Sequence, residues 1–381
     1  MKKALIVASV ASMIDQFNMS NIRLLLQMGY EVHVACNYKK GSTCSEEKIT
    51  SLKEKLHTLD VTIYQIDFAR NILKVAENFK AYKQLKRIVK NNGYEIIHCH
   101  SPIGGLLTRL AAKKERKKGT RVIYTAHGFH FYKGAPKKNW LLYYPVEKMC
   151  SRWTDTLITI NREDYELAQK KMKAEKVVYI PGVGIDVDKF TNTFVDSIVK
   201  RQELGIPANA FFLLSVGELN ENKNHKTVVK AMAKLDNKNV YYAVAGKGDL
   251  HDELLSLASD LGLNKRFKLL GFRSDVDELY KIADCFVHPS FREGLPVSIM
   301  EAMASGLPVL CSAIRGNVDL IDVNGGWLFD SQKEDECQRA LSEAICCDLK
   351  AMGQYNLEKA KQFELGNIIS IMREIYGRGS H

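Results

Sequence analysis

Several features that define special classes of protein are absent from the sequence. There are only eight prolines and no low-complexity tract, which excludes a collagen-like or disordered chain. No apolar run reaches the ~18 residues that a membrane-spanning helix needs, so any membrane contact is expected to be peripheral. The nine cysteines form no Cys-x-x-Cys pair and several lie in apolar runs, which indicates a reducing cytoplasm and no zinc site.

What is present is an ordinary globular composition with an uneven charge. The chain has 381 residues, of which 46% are hydrophobic and 26% are charged, and this length predicts two domains. Residues 1–190 contain 33 basic and 18 acidic residues, whereas residues 191–381 contain 22 and 26. The basic half is therefore expected to meet an anionic partner, for which nucleic acid, a phospholipid surface and a phosphorylated substrate are the candidates.

Short apolar runs alternate with longer amphipathic segments along the chain. Many of the runs are apolar on both faces, which is typical of parallel strands covered by helices. The predicted strands are 4–10, 31–36, 61–66, 95–100, 121–125, 156–160, 176–180, 211–216, 240–245, 267–270, 285–288, 308–312 and 326–329. Helical patterns fill the gaps, so the order predicts doubly wound parallel α/β sheets. The first run imitates a signal peptide, but we expect a buried strand.

A domain boundary is predicted near residues 188–210. The pattern Pro-Gly-Val-Gly-Ile-Asp at 181–186 ends a strand, and the next strand begins only at Phe211. We therefore predict two Rossmann-like domains with a ligand cleft between them. The N-terminal domain is assigned to residues 1–190 and the C-terminal domain to 191–356, and a C-terminal helix at about 357–376 is a candidate to pack back on the first.

The most informative stretch is FREGLPVSIMEAMASGLP, residues 291–308. Its prolines and its Ala-Ser-Gly pattern delimit a helix, so Glu293 is expected on the loop before that helix and Glu301 inside it. The helix N-terminus at Gly294 and Leu295 is a ready site for a diphosphate. Two carboxylates beside such a site suit the hydroxyls of a sugar better than an acid–base pair.

The Glu-x7-Glu spacing of this stretch resembles the signature of the retaining glycosyltransferases of family 4, which have the GT-B fold. The resemblance covers nearly the whole chain. It implies that Glu301 binds the ribose of a nucleotide and that Glu293 binds the transferred sugar. It also implies that the backbone amides of Gly294 and Leu295 meet the donor phosphates or the sugar.

A second family element follows the strand at 211–216. The family pattern is Gly-Arg-Leu and then a lysine, and both basic side chains hold the diphosphate. Lys223 matches the lysine, but Glu218 stands at the arginine position, which removes a bidentate phosphate clamp and adds an anion. Another cation is then needed, for which Lys247 and Arg273 are candidates. The donor-binding set implied here comprises Gly217, Glu218, Lys223, Gly246 and Arg273.

A third element is Thr-Ala-His-Gly-Phe-His-Phe at 125–131, directly after a strand. Ligands of parallel sheets lie beyond the carboxyl ends of the strands. The resemblance implies that His127 faces the transferred sugar near the reacting carbon, with His130 as the alternative. A zinc site built from His98, His100 and these two histidines is a rival, but no spacing of cysteines or carboxylates supports it.

The loop after the first strand lacks the glycine pair that is frequent in the family. This variation, with the segment HGFHFYKGAP, looks most like the EpsD-like branch for exopolysaccharide and capsule synthesis. That branch implies a lipid-diphosphate-linked saccharide acceptor at the inner face of the cell membrane. A basic cluster at 113–118 and the aromatic, lysine-rich segment 129–144 predict contact with anionic lipid. Residues assigned to the acceptor or membrane side are Gly104, Gly105, His130, Lys133, Lys137, Lys138 and Trp140.

The chain is thus expected to be a retaining, metal-independent hexosyl- or N-acetylhexosaminyltransferase that uses a nucleotide sugar, most simply a UDP-sugar, and no cofactor. The expected catalytic residues are His127, Glu293 and Lys223. Because of Glu218, the alternative is a non-catalytic nucleotide-sugar-binding partner of another transferase. The sequence contains no recognisable nucleic-acid-binding module, which argues against a nucleic-acid-binding protein. The Glu-x7-Glu spacing argues against a sugar-nucleotide epimerase. Cytoplasmic location with peripheral membrane attachment is expected.

Overall fold

The computed structural model describes residues 2–40, 45–69 and 71–377. The chain divides into two compact units. The first unit consists of Met1–Ile180 and Ile368–His381, and the second of Pro181–Asn367. No helix within the described residues is both long enough and apolar enough to cross a bilayer.

The first unit is built on a seven-stranded sheet with the order β3-β2-β1-β4-β5-β6-β7. Every pairing in it is parallel. Its strands are β1 Lys3–Val10, β2 Glu31–Asn37, β3 Thr62–Gln65, β4 Ile96–His100, β5 Arg121–Ala126, β6 Thr156–Thr159 and β7 Lys176–Tyr179. Its helices are α1 Ala11–Phe17, α2 Met19–Gln27, α3 Glu46–Thr58, α4 Val75–Asn92, α5 Pro102–Arg116, α6 Lys137–Cys150 and α7 Arg162–Lys171.

The second unit contains a six-stranded parallel sheet with the order β10-β9-β8-β11-β12-β13. Its strands are β8 Phe211–Val216, β9 Val240–Ala245, β10 Phe267–Gly271, β11 Cys285–His288, β12 Val309–Ser312 and β13 Gly326–Phe329. Its helices are α8 Val187–Asn192, α9 Ser197–Glu203, α10 His225–Ala233, α11 His251–Asp260, α12 Val276–Ile282, α13 Val297–Ala304, α14 Asn317–Leu320, α15 Glu334–Cys346 and α16 Leu349–Ala360. The last helix, α17, spans Leu365–Gly377.

Strand β1 shows why the apolar runs are continuous. Ala4 and Ile6 pack in one core cluster of the first unit, and Leu5 and Val7 pack in the other. All four side chains are fully buried, because helices cover both faces of a parallel sheet. The prediction of a buried first strand is confirmed, and each of the other predicted strands is present with ends shifted by one or two residues at most.

The division between the units falls at 180/181, ten residues before the predicted boundary at 190/191. The segment after Ile180 packs on the second unit. The backbone N–H of Ile185 donates to the carbonyl of Phe363 at 2.9 Å, and the Thr191 hydroxyl donates to the carbonyl of Ala304 at 3.2 Å. Helix α17 buries Met372 and Tyr376 in a core of the first unit.

Candidate active site

The predicted donor-binding residues lie on loops at one edge of the second sheet. Strands β8, β9 and β11 are parallel and adjacent, so their carboxyl ends lie at the same edge. The loop after β8 carries Lys223, and the loop after β11 carries Glu293. Lys223 ends a short 3-10 turn, which Asn220 begins by accepting a hydrogen bond from the Lys223 backbone at 3.0 Å. Glu301 lies within α13, as the motif predicts.

Glu293 is the centre of a charged cluster. Lys223 Nζ lies 2.7 Å from Glu293 Oε1, and His288 Nε2 lies 3.1 Å from the same oxygen. Ser290 Oγ is 3.1 Å from His288 Nε2, and the Arg315 guanidinium donates to the backbone carbonyl of Glu293 at 3.1 Å. The structure therefore brings the two predicted residues, Lys223 and Glu293, into direct contact.

The charges of this cluster are set by burial and by the pairing itself. Burial favours the neutral form of Glu293, but the positive charge of Lys223 and the hydrogen bond from His288 outweigh it and hold its pKa well below the usual range. Burial and the neighbouring Lys223 lower the pKa of His288. An ionised Glu293 between a cationic lysine and a neutral histidine can accept hydrogen bonds from sugar hydroxyls.

Glu301 has a different environment. Burial raises the pKa of its carboxyl to about 7, and a hydrogen bond from Tyr280 opposes that rise only in part. The two atoms, Tyr280 OH and Glu301 Oε2, are 3.0 Å apart. Burial also raises the pKa of Tyr280 well above its ordinary value, so its hydroxyl stays protonated and donates. Among its described contacts, the Glu301 carboxylate has no cationic partner at hydrogen-bond distance. It can therefore accept hydrogen bonds from neutral donors such as ribose hydroxyls.

Two glycines allow the loops at this edge to approach each other. A Cβ atom on Gly246 would lie 1.7 Å from the carbonyl oxygen of Gly217, and a Cβ on Gly217 would lie 3.3 Å from Lys223 Cε. The backbone N–H of Gly217 donates to the carbonyl of Ala245 at 3.0 Å. The structure thus places Gly217 beside Lys223, and Gly246 against the backbone of Gly217.

Replacing Gly246 with alanine is expected to lower the free energy of unfolding by about 2–3 kcal/mol, because the new methyl group overlaps the Gly217 carbonyl. Urea unfolding measures this change. Gly366→Ala is the matched control, since its Cβ would meet nothing within 4 Å and its φ is not in the left-handed region. An equal effect of both substitutions would show that the close approach at Gly246 has no energetic weight.

Arg273 and Lys247, the two candidates for the cation that is missing at Glu218, differ in their surroundings. Arg273 Nε lies 2.8 Å from Asp275 Oδ1, and its Nη2 lies 2.9 Å from Glu203 Oε1, so its charge is engaged by two carboxylates. Lys247 and Glu218 are exposed, and Glu218 accepts a hydrogen bond from the side chain of Asn220 at 2.8 Å. The loop after β8 therefore presents a carboxylate where the family pattern has an arginine.

Three residues of this site escaped the sequence analysis. His288, Tyr280 and Arg315 contact Glu293 or Glu301 from a strand end, a helix and a loop that carry no motif. His288 offered one signal, since it is the last residue of a predicted strand and thus lies at the ligand-binding edge. Tyr280 and Arg315 gave none.

The first unit gathers three histidines at the carboxyl ends of β4 and β5. His100 Nδ1 lies 3.1 Å from His127 Nε2, and the rings of His98 and His100 have centroids 4.2 Å apart. His98 is held by Tyr376 OH at 2.7 Å and by Thr125 Oγ1 at 2.8 Å. Burial lowers the pKa of His127 to about 4, so this ring is neutral at neutral pH.

A cavity of about 380 Å³ lies at the same edge of the first sheet. Ser9, Ser101, His130 and Glu147 are among its lining residues. Glu147 is buried and paired with the buried Arg109, whose Nη2 lies 2.9 Å from Glu147 Oε2. The predicted acceptor residue His130 therefore belongs to a real cavity, which we call the edge cavity.

Gly104 and Gly105 are buried in helix α5, and packing accounts for both. A Cβ on Gly104 would lie 2.8 Å from Ser101 Oγ, and a Cβ on Gly105 would lie 2.4 Å from the ring of Tyr124. The backbone N–H of Gly104 donates to Ser9 Oγ at 3.1 Å. Their lack of side chains lets α5 lie close to the sheet and needs no ligand to explain it.

The aromatic segment 129–144 differs from the prediction of a membrane-facing surface. Phe129 and Phe131 are buried and stacked with centroids 4.7 Å apart, and Phe131 contacts Trp140 and Tyr144 edge-on, where these two side chains pack against a core cluster of the first unit. Trp140 Nε1 donates to the carbonyl of Tyr132 at 3.2 Å. These aromatics join the loop after β5 to helix α6. The cationic residues that the segment exposes are Lys133, Lys137 and Lys138.

The basic cluster at 113–118 is partly neutralised. Arg116 Nη2 lies 2.7 Å from Asp155 Oδ1, and Lys118 Nζ lies 2.9 Å from Glu115 Oε2. Lys113 Nζ lies 4.4 Å from the centre of the Trp153 ring.

In the part of the chain that the structure describes, no three His, Cys, Asp or Glu side chains are arranged to hold a metal ion, so the zinc alternative gains no support.

Comparison with known proteins gives glycosyltransferase matches for both units. Residues 19–189 match the family model described as Glycosyltransferase Family 4, and residues 196–360 match Glycosyl transferases group 1. EpsD of Bacillus subtilis (strain 168), a glycosyltransferase by name, is 36% identical over 385 residues, covering 98% of this chain and 96% of EpsD. The UDP-Gal:alpha-D-GlcNAc-diphosphoundecaprenol alpha-1,3-galactosyltransferase of Escherichia coli is 34% identical over 260 residues, 66% of each chain.

A solved structure of Anabaena Alr3699/HepE in complex with UDP and glucose has the same fold, with a TM-score of 0.78 at 18% identity, covering 98% of this chain and 99% of that one. Two Rossmann-like domains, each with a parallel sheet, are the architecture of the GT-B fold. The chain belongs to the GT-B glycosyltransferase family that includes EpsD.

Proposed function

We propose that the protein is a retaining glycosyltransferase that moves a hexose or N-acetylhexosamine from a UDP-sugar to a lipid-diphosphate-linked saccharide in capsule or exopolysaccharide synthesis. The observation that carries the proposal is the ion pair of Lys223 with Glu293 at one sheet edge, followed by the helix that contains Glu301. The relatives support the substrate class. The name of the E. coli relative gives UDP-Gal as donor and a GlcNAc-diphosphoundecaprenol as acceptor.

Each residue has a distinct task in this proposal. Glu301 accepts hydrogen bonds from the two ribose hydroxyls, and Glu293 accepts them from the transferred sugar. Lys223 and the amides of Gly294 and Leu295 stabilise the negative charge of the departing diphosphate. His127, as a neutral imidazole, donates or accepts a hydrogen bond at the donor sugar near its anomeric carbon.

The reaction proceeds by front-face substitution. The bond between the anomeric carbon and the diphosphate oxygen breaks while the acceptor oxygen bonds to the same face of that carbon. The departing phosphate oxygen takes the proton of the acceptor hydroxyl, so configuration is retained without a covalent enzyme intermediate. Because Lys223 and the amides meet the diphosphate charge, the reaction requires no metal ion and no cofactor.

The location follows from the acceptor. We assign the protein to the cytoplasmic face of the cell membrane, attached peripherally through an anionic lipid surface. The exposed residues Lys133, Lys137 and Lys138 are its cationic contacts.

The test is transfer by the purified protein. UDP-Gal, UDP-Glc, UDP-GlcNAc and UDP-GalNAc are offered with a synthetic GlcNAc-diphosphate lipid, with and without a chelator. The expected product carries one added sugar in the α configuration by NMR, at a rate that the chelator does not change. A β-linked product would contradict retention, and a rate lost to the chelator would contradict metal independence.

The alternative is a non-catalytic nucleotide-sugar-binding subunit, which Glu218 favours because it places a carboxylate beside the proposed phosphate site. Glu218→Arg is expected to tighten binding of the cognate UDP-sugar about fivefold to tenfold, since it restores a cation at that position. Calorimetric titration measures the change, and Glu221→Arg in the same loop is the control for added charge. Binding of UDP-sugars without any transfer by the purified protein would favour the subunit.

A further inference from the structure

Helices α4 and α5 of the first unit leave an apolar trough of about 350 Å³ open at the surface. Val75, Phe79 and Tyr82 of α4 form one wall, and Leu107 and Leu110 of α5 form the other. Val75 is 73% exposed and Phe79 is 54% exposed. Two large apolar side chains on neighbouring turns of one helix are costly to leave in water, so the trough has the character of a binding surface.

The trough adjoins the edge cavity, because Ile72, Ile103 and Leu106 line both spaces. The edge cavity has polar groups such as Ser9 and His130 at the carboxyl ends of the strands, whereas the trough is lined mostly by apolar side chains. A ligand that occupies both spaces must therefore be polar at one end and apolar at the other.

The rim of the trough is cationic. Helix α4 carries five lysines and arginines but one acidic residue. Lys83 Nζ lies 4.5 Å from the centre of the Phe79 ring, and Lys86 Nζ lies 5.5 Å from that of Tyr82. Lysines that border an apolar surface suit the boundary between the phosphates and the acyl chains of a membrane.

The chemistry of the walls favours a hydrocarbon chain over a peptide. The side-chain amide of Asn78 lines the trough, and its Nδ2 donates to the carbonyl of Asn71 at 3.0 Å. Its Oδ1 is buried without a described partner, so it offers a ligand a single acceptor, too little for the backbone of a peptide. A peptide seated here would leave its own N–H and C=O groups buried without partners. An isoprenoid chain has no such groups to satisfy.

We propose that this trough holds the first isoprene units of the acceptor lipid, with the diphosphate-linked saccharide directed to the edge cavity. The inference rests on the proposed function, because it takes the lipid-diphosphate acceptor from there. It adds that the protein itself recognises the lipid chain, so that the chain is more than an anchor in the bilayer.

The test compares two soluble acceptors that carry the same GlcNAc-diphosphate, one on a farnesyl chain and one on an ethyl group, below the micelle concentration and without membranes. The wild-type KM is expected to be at least tenfold lower for the farnesyl acceptor. Phe79→Asp is expected to raise that KM about tenfold and to leave both the ethyl acceptor and kcat unchanged. Leu141→Asp is the matched control, since Leu141 is 81% exposed on α6 and lies outside the trough.

The outcomes separate the two proposals. Equal KM values for both acceptors in the wild type, or an equal effect of Leu141→Asp, would overturn the trough as the lipid site. If neither acceptor is used, the proposed function fails, and calorimetric binding of farnesyl diphosphate against inorganic diphosphate still decides the trough. Binding of the farnesyl compound alone, weakened in Phe79→Asp, supports it, and no binding overturns it. Val75→Asp repeats the test if Phe79→Asp does not fold.

Discussion

Replacing Lys223 with methionine is expected to reduce sugar transfer at least about 100-fold and to lower the free energy of unfolding by about 2–3 kcal/mol. The loss of transfer follows because the departing diphosphate loses its cation. The loss of stability follows because Glu293 is left as a mostly buried carboxylate whose nearest ionic partner, at 2.7 Å, has gone. Initial rates and urea unfolding curves measure the two effects.

A double substitution separates the electrostatic cause from a loss of packing. Lys223→Met with Glu293→Gln is expected to recover about 2 kcal/mol of the lost stability, because no unpaired charge remains, while transfer stays low. Lys247→Met is the control, since it removes an exposed lysine from the same edge and is expected to change stability by no more than about 0.5 kcal/mol. If the single and double variants unfold at the same urea concentration, the loss of stability comes from packing and not from the unpaired charge of Glu293.

Replacing Glu301 with glutamine is expected to abolish the rise in melting temperature that a UDP-sugar causes, and at the same time to stabilise the unliganded protein. At pH 8 the gain in unfolding free energy is expected to be about 2–3 kcal/mol. Burial raises the pKa of Glu301 from its usual value near 4.5 to about 7, so keeping this carboxyl ionised in the fold is unfavourable. A site that stabilises a ligand thus destabilises the empty protein.

The pH dependence gives this prediction its sign. A carboxyl whose pKa is higher in the folded state gives its full contribution to stability below pH 4.5, and that contribution is lost as the pH rises to about 7. The difference in unfolding free energy between Glu301→Gln and the wild type should therefore grow between pH 5 and pH 8, as urea unfolding at four pH values measures. Glu218→Gln, an exposed carboxyl of the same unit, is the control. Parallel curves for the wild type and Glu301→Gln would contradict the prediction.

The binding of the donor follows the same linkage. Ribose hydroxyls that donate to Glu301 stabilise its ionised form, so a UDP-sugar is expected to bind several-fold more tightly at pH 8 than at pH 6. A nucleotide sugar is the right probe, because its internal diphosphate does not titrate in this range. Calorimetry checks the effect, and Glu301→Gln should bind weakly at both pH values.

Local patterns located the donor motif because its signals are local. The proline and glycine around residues 296–306 delimit a helix in any context, so the positions of Glu293 before α13 and of Glu301 within it could be predicted. Lys223 was singled out by its match to the family pattern after a predicted strand. The partners of these residues could not be predicted. Tyr280 lies 21 residues from Glu301, and the contact of His288 with Glu293, five residues away, depends on the course of the loop between them.

The aromatic segment 129–144 has a sequence pattern that two different structures share. Aromatic side chains interleaved with lysines are typical both of a membrane interface and of a folded loop with exposed lysines. The packing of Phe131 against Trp140 and Tyr144 shows that these three rings belong to the fold of the first unit, and the segment exposes its lysines. Arg273 is a similar case, since only its contacts with Asp275 and Glu203 show that its charge is engaged.

The sequence by itself determined the two doubly wound sheets and the order of their strands along the chain. These follow from hydrophobic runs and turn signals that act over a few residues, whereas the donor-site roles proposed for Glu293, Glu301 and Lys223 come from the resemblance to the family. Only the tertiary structure decided the charge state of Glu301, the pairing of Lys223 with Glu293 and the trough between α4 and α5. Burial and electrostatic contact depend on which distant segments meet, and that is a property of the folded chain.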